Sequence, residues 1–140
     1  MIAVVDSSVA IKWFVREQGH EQALALLDRQ DELFAPDVIV SDVIDAVWFK
    51  IVAGQIGNDQ GSAIVAAVTS GVPALLPVSD FAEEAFQTAL GMGRLAHLAV
   101  YFACVEALDA GFVTADEEAA SVAREKLGEE RVTLLSGLSS

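Results

Sequence analysis

Apolar and polar positions alternate in blocks along the chain. Ile2 to Val5 form an apolar, β-branched run that predicts a buried parallel strand. The run stops at Asp6; Ser7 and Ser8 can cap, and Val9 to Phe14 read as a helical turn or two. Glu21 to Leu27 continue helically, Asp31 and Glu32 read as a turn, and Leu33 to Ala35 as a very short strand. Pro36 opens a long helix over roughly Val38 to Ala53, in which Ile39, Val43, Val47 and Ile51 recur every four residues. Gly54 to Gly61 read as a polar turn, Ala63 to Thr69 as helix and Ala74 to Pro77 as strand. Ser79 is the expected cap of a helix through Leu90, with Glu83 and Glu84 in its first turns. Gly91 to Arg94 break the pattern, and Ala96 to Leu108 resume it as a helix. Gly111 to Val113 read as strand, Asp116 starts a helix through Leu127, Val132 to Leu135 form a last strand, and residues from Ser136 onward a frayed tail.

This alternation predicts an α/β fold: three α/β/α layers around a short, mainly parallel central sheet, in one domain over residues 1–140. In such sheets ligands sit beyond the carboxyl ends of the strands. Asp6 and Asp116 fall at such ends.

Composition narrows the class. The chain is 54% hydrophobic, yet no charge-free apolar stretch approaches the roughly 18 residues of a membrane span. The N-terminus lacks the basic start and small-residue cleavage site of a signal peptide. Cys104 lies in an apolar helical pattern and reads as a buried free thiol, so a cytoplasmic location is expected. With 8 Lys and Arg against 21 Asp and Glu, the net charge of -13 opposes casual nucleic-acid binding. A nucleic-acid substrate would need a local basic strip or bridging metal ions, whereas a basic partner segment would be drawn in.

Asp6, Asp42 and Asp116 are distant in sequence but can meet at one rim, with Asp45 one helical turn beyond Asp42. Carboxylates this close repel unless a divalent cation bridges them. Mg²⁺ and Mn²⁺ take hard oxygen ligands and support phosphodiester hydrolysis. For any one of these acids, capping the following helix is the plainer reading.

Three stretches in this order, "VVDSSVAIKWF" from Val4, "LFAPDVIVSDVIDAVW" from Leu33 and "FVTAD" from Phe112, resemble a PIN domain. That is the fold of metal-dependent ribonucleases that includes the VapC-type toxins. The resemblance implies Asp6, Asp42 and Asp116 as catalytic metal ligands, with Ser8, Thr114 and Asp45 supporting them. It implies Mg²⁺ or Mn²⁺ as cofactor, an RNA substrate, a homodimer, and an antitoxin with a basic tail as partner. Two positions depart from the family pattern. Asp42 stands where Glu is usual. Counted back from "TAD", the third family acid is replaced by Leu98, with His97 beside it. Lys12, Lys50 and Arg94 are the basic residues expected near the rim and able to touch a phosphate. Trp13, Phe14, Trp48 and Phe49 read as core or dimer contacts rather than base-stacking groups.

Two readings of the resemblance follow: an active endoribonuclease, or a PIN domain that has lost its chemistry and serves as a binding or regulatory module for a basic antitoxin-like partner. A phosphoryl-accepting receiver domain would need adjacent acids after the first strand, where this chain has Asp6 and two serines.

Overall fold

The strand beginning at Ile2 is apolar throughout because it is covered on both faces. The computed structural model describes residues 2–29 and 32–138. In it β1 (Ile2–Val5) is the middle strand of five, and Val4 and Val5 have no solvent exposure. β2 (Glu32–Pro36) and β3 (Ala74–Leu76) extend the sheet on one side, β4 (Gly111–Thr114) and β5 (Val132–Leu134) on the other, in the order β3-β2-β1-β4-β5. Every pairing is parallel, so the expected mainly parallel sheet is wholly so.

The strand order reverses between β1 and β4, the place where an open parallel sheet offers a crevice. Val5 lies opposite Val113 in that pairing. The chain therefore leaves β1 at Asp6 and β4 at Ala115 on the same edge.

Seven α-helices of the described residues flank the sheet in a three-layer α/β/α arrangement: α1 (Ser7–Ala10), α2 (His20–Asp28), α3 (Ile39–Val52), α4 (Asn58–Val68), α5 (Ala82–Leu90), α6 (Ala99–Leu108) and α7 (Glu117–Leu127). α6 packs on β1 and β2, α7 on β4 and β5, and α3 is held between α1 and α4. Ile39, Val43 and Val47 bury the inner stripe of α3, as their four-residue spacing predicts. None of these helices is long and apolar enough to cross a membrane.

Several boundaries differ from the sequence reading, each for a local reason. Pro36 closes β2 opposite Leu76 rather than opening a helix, and α3 begins at Ile39. The turn expected at Gly54 to Gly61 is helical from Asn58, because Gly61 is a packing residue of α4 rather than a turn residue. Ser79 caps nothing: Val78–Asp80 form a short 3-10 turn, and α5 starts at Ala82 without a side-chain cap. The acid that organises this corner is Asp37, whose Oδ1 accepts from the Val78 N–H at 3.0 Å. Glu32 belongs to β2, while Asp31 and the last two residues of the tail lie outside the described residues.

The aromatic pairs divide. Trp13 is buried and donates through Nε1 to the Ala23 carbonyl at 2.9 Å. Trp48 and Phe49 are 55% and 60% exposed, touching edge to face at 5.1 Å between ring centres, so they are not core residues. Cys104 is buried as expected, and burial pushes its thiol up to about 11.

α3 carries Asp42 and Asp45, and α4 braces it through Gly61. A Cβ there would come within 2.8 Å of Val47 Cγ1 and 2.9 Å of Ile51 Cδ1. Gly61→Ala gains helix propensity of about 1 kcal/mol, but overpacking of about 1–3 kcal/mol outweighs it because the branched Val47 cannot turn aside. The melting temperature should fall by a few degrees; a rise would contradict this packing.

Candidate active site

Asp6 follows β1 directly, so its side chain starts from a fixed strand end. It is the N-cap of α1 and only 6% exposed. Its Oδ1 accepts from the Ser8 hydroxyl at 2.5 Å, the Ser8 N–H at 3.1 Å and the Val9 N–H at 3.3 Å. Its Oδ2 accepts from the Thr114 hydroxyl at 2.6 Å. Those hydroxyls in turn accept from β4's exit: Ser8 Oγ from the Ala115 N–H at 2.9 Å, and Thr114 Oγ1 from the Asp116 N–H at 3.2 Å. One carboxylate therefore ties the β1–α1 corner to the β4–α7 corner.

The hydroxyl protons are fully used in this arrangement. Ser8 Oγ and Thr114 Oγ1 lie 3.3 Å apart, but each spends its one proton on Asp6. The donors around Asp6 are all neutral. Burial raises its carboxyl above the ordinary 3.8; the hydrogen bonds from Ser8, Thr114 and Val9 oppose this but do not cancel it.

Asp116 caps α7, its Oδ1 accepting from the Glu118 N–H at 2.8 Å and the Ala119 N–H at 3.2 Å. Capping and a place at the crevice are thus compatible. Asp42 arrives from the first turn of α3, and Tyr101 of α6 donates its hydroxyl to Asp42 Oδ2 at 2.7 Å. The Tyr101 ring is buried against Phe112, 6.4 Å between centres, which fixes where its hydroxyl points. Burial first, then the charges of Asp42 and Asp6, holds the phenol far above its ordinary value, so Tyr101 is a permanent donor.

Asp6, Asp42, Asp45 and Asp116 line a single hollow of about 370 Å³ together with Ser8. Its far wall is Leu95, His97, Leu98 and Tyr101, with Phe49 at the rim. Leu98 is 5% exposed, so an apolar side chain occupies that wall. Leu95 enters the turn before it with φ 55°, a left-handed conformation that costs a branched residue energy and sets the direction of the wall.

The donor chemistry fits a hard divalent cation: carboxylate oxygens around one hollow, one of these carboxylates buried without a cationic partner among its donors. The spacing is less complete. Among the described residues no three His, Cys, Asp or Glu are grouped closely enough to hold a metal ion. Tyr101 engages one oxygen of Asp42, and α7 one oxygen of Asp116.

The basic residues divide. Lys12 and Lys50 line an adjoining hollow, where both are paired with Glu17. Arg94 is outside both hollows and lies 4.0 Å from Glu118. Tyr101's contact with Asp42 and Glu17's with both lysines were not read from the sequence. Tyr101 stands one helical turn past Leu98, a usable signal; Glu17, five residues after Lys12 and thirty-three before Lys50, gave none.

Because the raised Asp6 carboxyl binds its proton more tightly in the folded than in the unfolded chain, its stabilising contribution is present below about the ordinary 3.8 and is lost as pH rises through the raised value. Asp6→Asn keeps an acceptor for the cap and can donate to Thr114. In metal-free buffer it should therefore melt higher than the parent at neutral pH, and the advantage should shrink on acidification through the Asp6 titration. An advantage independent of pH, or a lower melting temperature at pH 7, would contradict the assignment of a desolvated charge at Asp6.

No curated relative matches the chain. The family model for the PIN domain matches residues 3–125, a span that includes Asp6, Asp42, Leu98 and Asp116. PIN domains are generally metal-dependent nucleases, and the fold is of that nuclease type. With most of its length matched, the chain belongs to the PIN domain family.

Proposed function

We propose that this protein is a VapC-like toxin, an endoribonuclease that cleaves RNA phosphodiester bonds with Mg²⁺ or Mn²⁺ held by Asp6, Asp42 and Asp116. The observation that carries the reading is the shared hollow: four aspartates from three separate elements open onto one space at the switch point of the sheet. A divalent ion bound there supplies charge to the phosphate and lowers the pKa of an attacking water.

The chain's own groups prepare that chemistry. Ser8 and Thr114 orient the Asp6 carboxylate, and the Thr114 hydroxyl also anchors the backbone of Asp116. Asp45 adds negative charge beside Asp42 from the same face of α3. Lys12 and Lys50 are the basic groups nearest the hollow that can meet an RNA phosphate. Such a substrate places the protein in the cytoplasm. The outer stripe of α3, Ile44, Trp48 and Val52, is 50–65% exposed and suits a second copy of the chain in a homodimer.

A second reading rests on Leu98 and on the Tyr101–Asp42 hydrogen bond, which together remove one acid and engage another. It makes the protein a degenerate PIN domain whose residual negative hollow binds the basic tail of an antitoxin.

Two measurements separate the readings. With Mn²⁺ the melting temperature should rise and a labelled single-stranded RNA should be cut, and Asp6→Asn should abolish both. Leu98→Asp should strengthen Mn²⁺ binding about tenfold or more, since it restores an acid to the hollow's wall. No Mn²⁺-dependent stabilisation, no cleavage and no gain from Leu98→Asp would overturn the ribonuclease reading in favour of the binding module.

A further inference from the structure

The acid hollow does not end at Phe49. It shares Ser8, Ala46, Phe49 and Asp116 with a second hollow of about 620 Å³, and there two lysines stand among the acids. Lys12 and Lys50, 19% and 17% exposed at their side chains, approach from the turn after α1 and from the last turn of α3. Glu17 lies between them, Oε1 3.2 Å from Lys12 Nζ and Oε2 2.5 Å from Lys50 Nζ. Lys12 also donates to the Gln18 carbonyl at 2.8 Å, so it keeps its place independently of the Glu17 side chain.

A carboxylate presenting one oxygen to each ammonium group resembles, in charge and shape, the two non-bridging oxygens of a phosphodiester. On the ribonuclease reading above, we propose that Lys12 and Lys50 form a backbone-phosphate subsite for single-stranded RNA beside the acid hollow, and that Glu17 fills it in the free protein until a phosphate takes its place. The exposed Phe49 ring, on the wall common to both hollows, is the stacking platform for the base next to that phosphate.

The surroundings support this assignment. The pairs of Arg94 with Glu118, Arg124 with Glu129 and Arg131 with Asp109 involve residues that line neither hollow. In a chain of net charge -13, converging cations offset locally the repulsion a phosphate meets elsewhere. Partial burial would raise the Glu17 carboxyl, but the hydrogen bonds and charges of Lys50 and Lys12 outweigh it and hold the carboxyl below its ordinary value. Glu17 is therefore a carboxylate at neutral pH, where it competes with anions for the two lysines.

The test is RNA binding followed by fluorescence anisotropy, with a short unstructured fluorescein-labelled RNA in EDTA so that nothing is cut. Glu17→Gln should tighten binding about three- to tenfold by removing the competing charge. Glu17→Ser gives the same readout should the Gln variant melt early. Replacing Lys12 and Lys50 together by Met should weaken binding and flatten the slope of log K against log salt by about 0.7, the value for the one phosphate the pair holds. Phe49→Ala should weaken it about tenfold with the slope unchanged. If the parent binds RNA but the Glu17 variants bind no tighter and the Lys variants keep the full slope, this subsite is overturned while the ribonuclease reading stands. If neither the parent nor any variant binds RNA at low salt, the subsite is overturned, and Mn²⁺-dependent cleavage of the same RNA decides whether the ribonuclease reading falls with it.

Discussion

A single buried carboxylate, Asp6, determines how the carboxyl edge of this sheet is built. Removing a charge from water is tolerated only where hydrogen bonds replace its solvation. Here the replacement comes from two hydroxyls and two backbone N–H groups, and each hydroxyl also accepts a backbone N–H from the exit of β4. The consequence is mechanical as well as electrostatic. β1 and β4 are adjacent strands, but their register alone would not fix the loops beyond them. The Asp6 network fixes both loops at once, so the position of Asp116 and the start of α7 depend on it.

The same network leaves a deficit. Neutral donors do not cancel the cost of burying the charge, and the Asp6 carboxyl stays raised. Across the hollow, the one hydrogen bond the Asp42 carboxylate accepts among the described residues is from the neutral Tyr101 hydroxyl. Negative charge is therefore gathered faster than it is neutralised, while the two nearest lysines are held in the next hollow by Glu17. A divalent cation, a guanidinium from a partner, or a proton on Asp6 would each relieve this imbalance. The hard oxygen donors and the water-accessible hollow favour the first.

The fold was legible wherever burial acts on both faces of an element. The run Ile2–Val5 and the four-residue spacing from Ile39 to Val47 needed no tertiary information, because buried strands and one-sided helices leave direct marks on the sequence. The failures fall where a long-range contact decides. Gly61 reads as a turn glycine, yet it is a helix residue kept small by Val47 and Ile51 across the α3–α4 contact. Ser79 reads as a cap, yet Asp37, brought in by the β2–β3 pairing, satisfies that corner. Trp48 and Phe49 read as core or dimer contacts, and their exposure rules out the core. Within the candidate site, the acids and hydroxyls next to strand ends were visible. The pairings that govern their availability, Tyr101 with Asp42 and Glu17 with the two lysines, arise from elements the sequence cannot bring together by itself.

The central claim is that the hollow beside Asp6 is a divalent-cation site inherited with the fold. Anomalous diffraction from a crystal soaked in MnCl₂, recorded near the manganese absorption edge, tests it most directly. An anomalous peak is expected inside the hollow, within bonding distance of carboxylate oxygens of Asp6, Asp42 and Asp116. A hollow that shows no manganese peak under these conditions, while Asp42 remains bonded to Tyr101, would contradict it.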